Sequence, residues 1–277
     1  MSGKLILVGT PIGNLNDFSP RAVEALSQCD FIAAEDTRVT LKLLNHFEIK
    51  RPLISYHQHN RLERGEQIVA RIEAGETCCL VSDAGMPAIS DPGEDLVAQC
   101  AEHGVTVLAV PGPTAMATAL AVSGLPTGRF CFEGFLSVNK LSRSRHLESI
   151  KDEPRTLVFY EAPHKLYATL RDLSRVLGDR RCALVRELTK IHEEVIRTTL
   201  CAAAARFREE EPRGEFVLVV EGAPEAETKE EMTLEEAVAC AQELCESGMP
   251  ASEAAKQAAK RSGIKKSDIY RLLTASI

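Results

Sequence analysis

Short apolar runs that stop abruptly at glycine, proline or an acid recur along the first 110 residues, with helix-like stretches between them. KLILVGT, DFIAAED, PLISYH, TCCLVSD and VTVLAVPG are rich in Val, Ile and Leu, and SPRAVEALSQ, RGEQIVARIEAG and GEDLVAQCAEHG separate them with amphipathic spacing. Strands alternating with helices make a largely parallel sheet covered on both faces, so the expected fold class is α/β. A second series follows in FCFEGFL, TLVFYEA, CALVREL, EVIRTTL and EFVLVVEG, with one helix, HKLYATLRDLSRVLG, ending at Gly178. Its later members are spaced like adjacent strands. The reading is two α/β domains, residues 1–118 and 119–223, with the boundary in ALAVSGLPTGR, and a helical tail over 224–277.

In that tail APEAETKEE reads as a solvated acidic linker, Thr233 and Glu236 form a capping box, and two short helices flank Gly263, the second capped by Ser267. From Pro224 to Met249 there are eight acidic residues and one lysine, whereas from Pro250 to Ile277 there are six basic residues and two acidic ones. The chain carries a net charge of −7 yet ends in a locally basic helix-turn-helix-like unit, a shape that meets polyanions as often as it merely packs. The nine cysteines are odd in number, and six of them sit in or beside apolar runs, which reads as reduced core thiols. No C-x2-C pair suggests zinc, and adjacent Cys78 and Cys79 point to opposite faces of a strand, so no metal is expected. With no apolar run of about 18 residues and no signal-like N-terminus, the expectation is a cytoplasmic protein without membrane contact.

Every strand end of the first series carries an unusual loop: VGTPIGN, AEDTR, SYHQHN, VSDAGMPAISDPG and VPGPTA. Ligands of open α/β sheets bind outside the carboxyl ends of the strands, so these loops are expected to converge on a ligand. A Rossmann site fits poorly, because GTPIG has G-x-x-x-G spacing and Pro11 removes a backbone donor; no Gly-Lys-Ser/Thr follows for a P-loop. His57 and His59, read as alternate positions on one strand face, lack a third metal ligand, which favours helix capping or RNA contact.

The ordered set VGTPIGNLND, AAEDTR, SYHQHN, LVSDAGMPAISDPG, VPGPTAMATALAVSGLP, FCFEGFL, FYEAPHKL, VRELTKIHEE and GEFVLVVEG resembles the tetrapyrrole-methylase superfamily of S-adenosylmethionine enzymes from about Lys4 to Gly222. GTPIGN and SDAGMP stand where tetrapyrrole methylases typically have G-x-G-x-G-D and Gly-Asp-Pro, and this departure resembles the branch that methylates ribosomal RNA. The resemblance implies S-adenosylmethionine in a cleft between two α/β domains, a homodimer, and 2'-O-methylation of a cytidine ribose in the decoding region of small-subunit (16S) rRNA, within the assembled small ribosomal subunit. It places Pro11, Ser82, Asp83, Ala84, Gly85, Thr114, Ala115, Phe159, Tyr160, Arg186, Glu187, Gly214 and Glu215 at the cofactor. Alternatives are a methylase of a small corrin- or sirohaem-type precursor and a non-catalytic RNA-binding protein.

Methyl transfer to a hydroxyl needs orientation and, as the bond forms, a base. Candidates for the base or its orienter are the acids at strand ends, Glu35, Asp36, Glu133, Glu161 and Glu187, although a carboxylate there often caps the following helix, as Asp36 before Thr37 does in outline. Arg38, Lys190 and Arg186 are candidates to place a phosphate. The acid-free run VNKLSRSRH reads as a mobile basic loop in which Lys140, Arg143 and Arg145 contact RNA, with Lys265 and Lys266 doing the same from the tail.

Overall fold

A computed structural model describes residues 3–224 and 232–275. Contacts divide the chain after Gly222.

The first unit holds two sheets. Strands β1 (Lys4–Val8), β2 (Phe31–Ala34), β3 (Leu53–Ser55), β4 (Thr77–Val81) and β5 (Thr106–Val110) form a parallel sheet in the order β3-β2-β4-β1-β5. Alternation along each strand feeds two cores. Ile6, Ile32 and Cys79 pack beneath α1 (Pro20–Gln28) and α2 (Thr37–His46), while Leu5, Phe31 and Cys78 pack beneath α3 (Arg61–Glu73) and α4 (Glu94–Glu102). Cys78 and Cys79 thus face opposite ways, and all nine cysteines are free thiols.

The second sheet has the order β6-β7-β10-β8-β9, from β6 (Phe130–Phe135), β7 (Thr156–Glu161), β8 (Arg181–Arg186), β9 (Glu194–Thr199) and β10 (Phe216–Val220). Only β6 and β7 pair in parallel; the other pairings are antiparallel, and of these only β8 with β9 joins strands that are close in sequence. One face packs on α6 (Lys140–Ser149), α7 (Leu166–Leu177) and α8 (Leu200–Glu209); the other is covered by α5 (Ala115–Ser123). The boundary expected near Ala119 falls inside α5, and because Ala115 to Val122 pack on the second sheet, the chain changes sheets at Pro111 to Thr114.

Two further expectations are corrected. The segment read as a mobile basic loop is helix α6, with the Asn139 side chain accepting from the Leu141 and Ser142 amides. His57 and His59 lie past the end of β3 in a turn rather than on a strand face, with their rings 5.9 Å apart.

In the second unit α9 (Leu234–Glu246), α10 (Ala251–Ser262) and α11 (Lys266–Ala275) pack around Ala237, Ala241, Ala254, Ala255 and Ala258, small side chains that let three short helices approach closely. The Thr233 and Glu236 box is formed at the start of α9, and Gly263 takes the left-handed conformation that ends α10. Helix α11 starts at Lys266, so Ser267 lies in its first turn and is not the cap. Most of the expected linker, Glu225 to Glu231, lies outside the described residues.

The loops at the carboxyl ends of β1 and β5 touch backbone to backbone. A Cβ on Gly112 would stand 2.8 Å from the Gly9 carbonyl oxygen, and one on Gly9 would stand 2.7 Å from Gly112. Gly112→Ala is expected to cost about 1–3 kcal/mol in urea unfolding, the scale of an overpacked contact that backbone cannot relieve. An unchanged midpoint and slope would show the two loops free to separate.

Candidate functional site

The loops after β1, β4 and β5 close on one another. The amides of Thr10 and Gly85 each donate to the other's carbonyl, at 2.9 and 3.1 Å, and the Gly9 amide donates to the Val110 carbonyl at 3.1 Å. The buried Thr10 hydroxyl donates to the Ser82 carbonyl at 3.2 Å. Gly85 holds φ +87, which glycine adopts without the steric cost a side chain incurs. These bonds form one wall of a cleft of about 580 Å³, a size suited to a nucleoside-bearing ligand.

The opposite wall comes from the second sheet. The Tyr160 hydroxyl accepts the Met116 amide at 3.1 Å, fastening the start of α5. Lys190 packs its stem where a Cβ on Gly13 would stand 2.6 Å from its Cγ, and its Nζ reaches Glu187 at 3.0 Å and Glu215 at 2.8 Å. Burial works against the Lys190 charge, yet those two carboxylates raise its pKa above the usual lysine value.

The cleft is acid-rich. Glu35, Asp83, Asp91, Glu161 and Glu215 line it with Lys190 as the one lining cation among the described residues. Asp83 accepts the Asp36 amide at 3.1 Å, and Glu35 stands 3.5 Å from the Asp83 amide, so neighbouring strand ends hold each other's carboxylates through backbone. Burial first, and the Asp83 charge next, raises the Glu35 pKa; burial likewise raises that of Asp83. Asp91 is pushed up to about 6 by burial and then by the Glu35 charge.

Of the residues expected at the cofactor, Asp83, Ala84, Gly85, Thr114, Ala115, Tyr160 and Glu215 line the cleft. The others do not line it. Phe159 is fully buried in the core beneath α7, because alternation sends it to the face opposite Tyr160. Ser82 is buried, its hydroxyl directed at the Ala84 and Gly85 carbonyls in the turn. Pro11 lies between bridging Thr10 and cleft-lining Ile12. Arg186 donates to the Arg213 carbonyl at 2.7 Å, pairs with Glu194 and lines a separate 140 Å³ depression. Gly214, at φ +82, leaves room for Glu187, whose carboxylate accepts the Glu215 amide at 3.0 Å.

Of the acids considered for base catalysis, Glu35 and Glu161 line the cleft. Glu161 has both oxygens engaged, one by the Ala162 amide at 2.9 Å and one by the Thr169 hydroxyl. Asp36 caps α2 and chelates Arg38, which holds its carboxyl down at about 2 and takes both residues out of the cleft. Glu133 pairs with His146 of α6 at 2.8 Å, and Glu187 is bound to Lys190. Among the basic candidates, Arg143 is largely buried against Asp172 and Thr169, so it ties α6 to α7, whereas Lys140 and Arg145 stand on exposed turns of α6 or beside them. Lys266 donates to the Ser252 hydroxyl at 3.0 Å, and Lys265 precedes α11.

Asp91, Ile89 and Phe135 also line the cleft and were not singled out in the sequence. The signals were present: a second acid before Pro92 in the fourth loop, and Gly134 inside a strand, which marks a bulge. No group of His, Cys, Asp and Glu suited to a metal occurs among the described residues.

The family model of tetrapyrrole (corrin/porphyrin) methylases matches residues 4–204, and relatives named ribosomal RNA small subunit methyltransferase I match nearly the whole chain. The one from Synechocystis sp. is 49% identical over 271 residues, covering 98% of this chain and 97% of the relative; that from Bacillus subtilis is 43% identical, covering 97% and 93%. The chain belongs to the tetrapyrrole-methylase family and, within it, to the group formed by these rRNA methyltransferases. Solved structures share the fold at low identity. Diphthine synthase matches with a TM-score of 0.61 at 15% identity, covering 79% of this chain and 90% of that one. Uroporphyrin-III C-methyl transferase from Thermus thermophilus, complexed with S-adenyl homocysteine, matches with 0.54 at 20%, covering 78% and 97%.

S-adenosylmethionine is the cofactor of this family, and the residues present fit it. Val185, Leu188 and Val217 offer an apolar bed for a nucleobase, and an excess of carboxylates over Lys190 suits a sulfonium cation. Above pH 6 Asp91 is charged and below it neutral. The preference for S-adenosylmethionine over its uncharged-sulfur product is therefore expected to fall as pH drops through about 6, and Asp91→Asn to flatten that dependence in calorimetric titrations. Because the folded value lies above that of an ordinary carboxylate, the native state takes up this proton before the unfolded one does, so Asp91 adds stability as pH falls from about 6 towards about 4. A preference unchanged between pH 8 and 5 in the parent would remove Asp91 from the cation's surroundings.

Proposed function

We propose that the protein methylates the ribose 2'-hydroxyl of a cytidine in the decoding region of small-subunit 16S rRNA, within the assembled small subunit and in the cytoplasm. Membership of the group named for small-subunit rRNA methylation carries this reading. The distribution of charge supports it: the carboxylates lie inside the cleft, while Lys140 and Arg145 on α6, and Lys165 two residues after cleft-lining Pro163, offer cations outside it. A neutral ribose hydroxyl enters such a site while its flanking phosphates stay outside. No helix among the described residues is long and apolar enough to cross a membrane.

When bound, the cofactor supplies an electrophilic methyl group. The protein's part is to orient the hydroxyl and accept its proton. Asp91, with a pKa of about 6, is matched to a base working near neutral pH, and Glu35 beside it is the second choice; both have carboxylates raised by burial and line the cleft. Labelled S-adenosylmethionine incubated with small subunits lacking the modification is expected to label one decoding-region cytidine ribose, and Asp91→Asn to lower kcat about 100-fold or more. Label on a base, or on no RNA at all, would refute the rRNA 2'-O reading; full kcat in the variant would pass the base role to Glu35.

The homodimer is part of the same proposal. Edge strand β5 leaves Leu108 45% exposed, and α5 is apolar around its circumference with Ala117 and Ala121 exposed, surfaces that a second copy would cover. Sedimentation equilibrium is expected to return twice the 30.3 kDa chain mass; a monomer at micromolar concentration would contradict it.

A further inference from the structure

Strand β6 contains a bulge whose effect is to aim one ring. Cys131 pairs with Leu157 and faces the core beneath α7, while Phe132 pairs with Val158 and faces α5. Regular alternation would return Phe135, three residues after Phe132, to the α7 face. Glu133 is instead the extra residue: the register slips between Phe132 and Gly134, and Phe135 comes opposite Tyr160 on the same face as Phe132. Gly134 permits the slip at φ +61, and a Cβ there would stand 3.1 Å from the Ser90 Oγ, on the loop that supplies Asp91. The displaced Glu133 is held by His146.

The ring so placed lines the cleft and is 58% exposed. It is not loose, since Phe132 and Phe135 both meet Tyr160 edge-on, at 4.9 and 5.5 Å, and Tyr160 is anchored on the Met116 amide. The apolar positions deeper in the cleft, Val185, Leu188 and Val217, are all less than a tenth exposed. An immobilised aromatic face at the mouth, left half in water by a bulge that puts it there, suits a planar group arriving from solvent. Proteins that take a nucleotide out of a stacked strand receive its base on such faces.

We propose that Phe135 is the stacking platform for the base of the acceptor nucleotide when its ribose enters the cleft. This rests on the rRNA reading above. The base leaves its stack in the RNA, and the ring offsets part of that loss, so Phe135 sets affinity for the RNA and not for the cofactor.

The test compares the parent with Phe135→Leu, which keeps apolar volume without an aromatic face, and Phe135→Tyr, which keeps the face. Methyl transfer from labelled S-adenosylmethionine to unmodified small subunits is measured beside calorimetric affinity for S-adenosylhomocysteine, which also reports folding. The leucine variant is expected to raise KM for subunits at least about fivefold, the tyrosine variant to stay within about twofold of the parent, and cofactor affinity to be unchanged in both. A leucine variant with the parent's KM, a tyrosine variant as impaired as leucine, or an equal loss of cofactor affinity would overturn the proposal, the last by giving the ring to the cofactor's adenine. A parent that binds cofactor but labels no subunit RNA would overturn the rRNA reading and this proposal with it.

Discussion

The site depends on a short piece of backbone pairing beyond the end of the first sheet. Parallel strands end with amides and carbonyls that have no partner in the ladder. Here Thr10 and Gly85 satisfy each other, and the Gly9 amide finds the Val110 carbonyl, so three loops that would otherwise be solvated turns form one fixed wall. Glycine is required where they cross, since Gly9 and Gly112 leave no space for a Cβ. The second sheet is fastened to that wall at two places, the stem of Lys190 against Gly13 and the hydroxyl of Tyr160 on the Met116 amide.

A wall held by backbone leaves its side chains free to be mutually unfavourable. Glu35, Asp83 and Asp91 all have pKa values raised first by burial and further by neighbouring acids; among the described residues no arginine or second lysine lines the cleft to neutralise them. Arg38 is bonded to Asp36 and reaches Asp83 only through its charge, and the cation that does line the cleft, Lys190, is shared by Glu187 and Glu215 on the far wall. Such a site is destabilising when empty and is relieved by a cation.

Both sheets and the tail helices were legible in the sequence because strand and helix periods differ and the breaks between them are rich in Gly, Pro and Asp. The convergence of the loops after β1, β4 and β5 was legible for the same reason, and Asp83, Ala84, Gly85, Thr114 and Ala115, singled out by the family resemblance, line the cleft there; the SYHQHN loop after β3, expected to join them, contributes no lining residue. What a strand end does not reveal is the side a residue takes. Tyr160 faces the cleft and Phe159 the core, although they are neighbours, and Glu133 and Arg143 are absorbed by His146 and Asp172, partners that only the packing of α6 brings near. Phe135 was hidden by the bulge, which reverses the alternation that periodicity assumes. Asp91 was hidden because a loop with Ala88 and Ser90 at positive φ follows no period at all.

The central claim is that the cleft between the two sheets is the cofactor site. A crystal structure of the protein with S-adenosylhomocysteine tests it directly. The account predicts the ligand between the Asp83 to Gly85 turn and the start of α5 on one side and Val185, Leu188 and Val217 on the other, with Phe135 left uncovered by its adenine. Ligand bound anywhere outside that cleft, or adenine lying on the Phe135 ring, would contradict it.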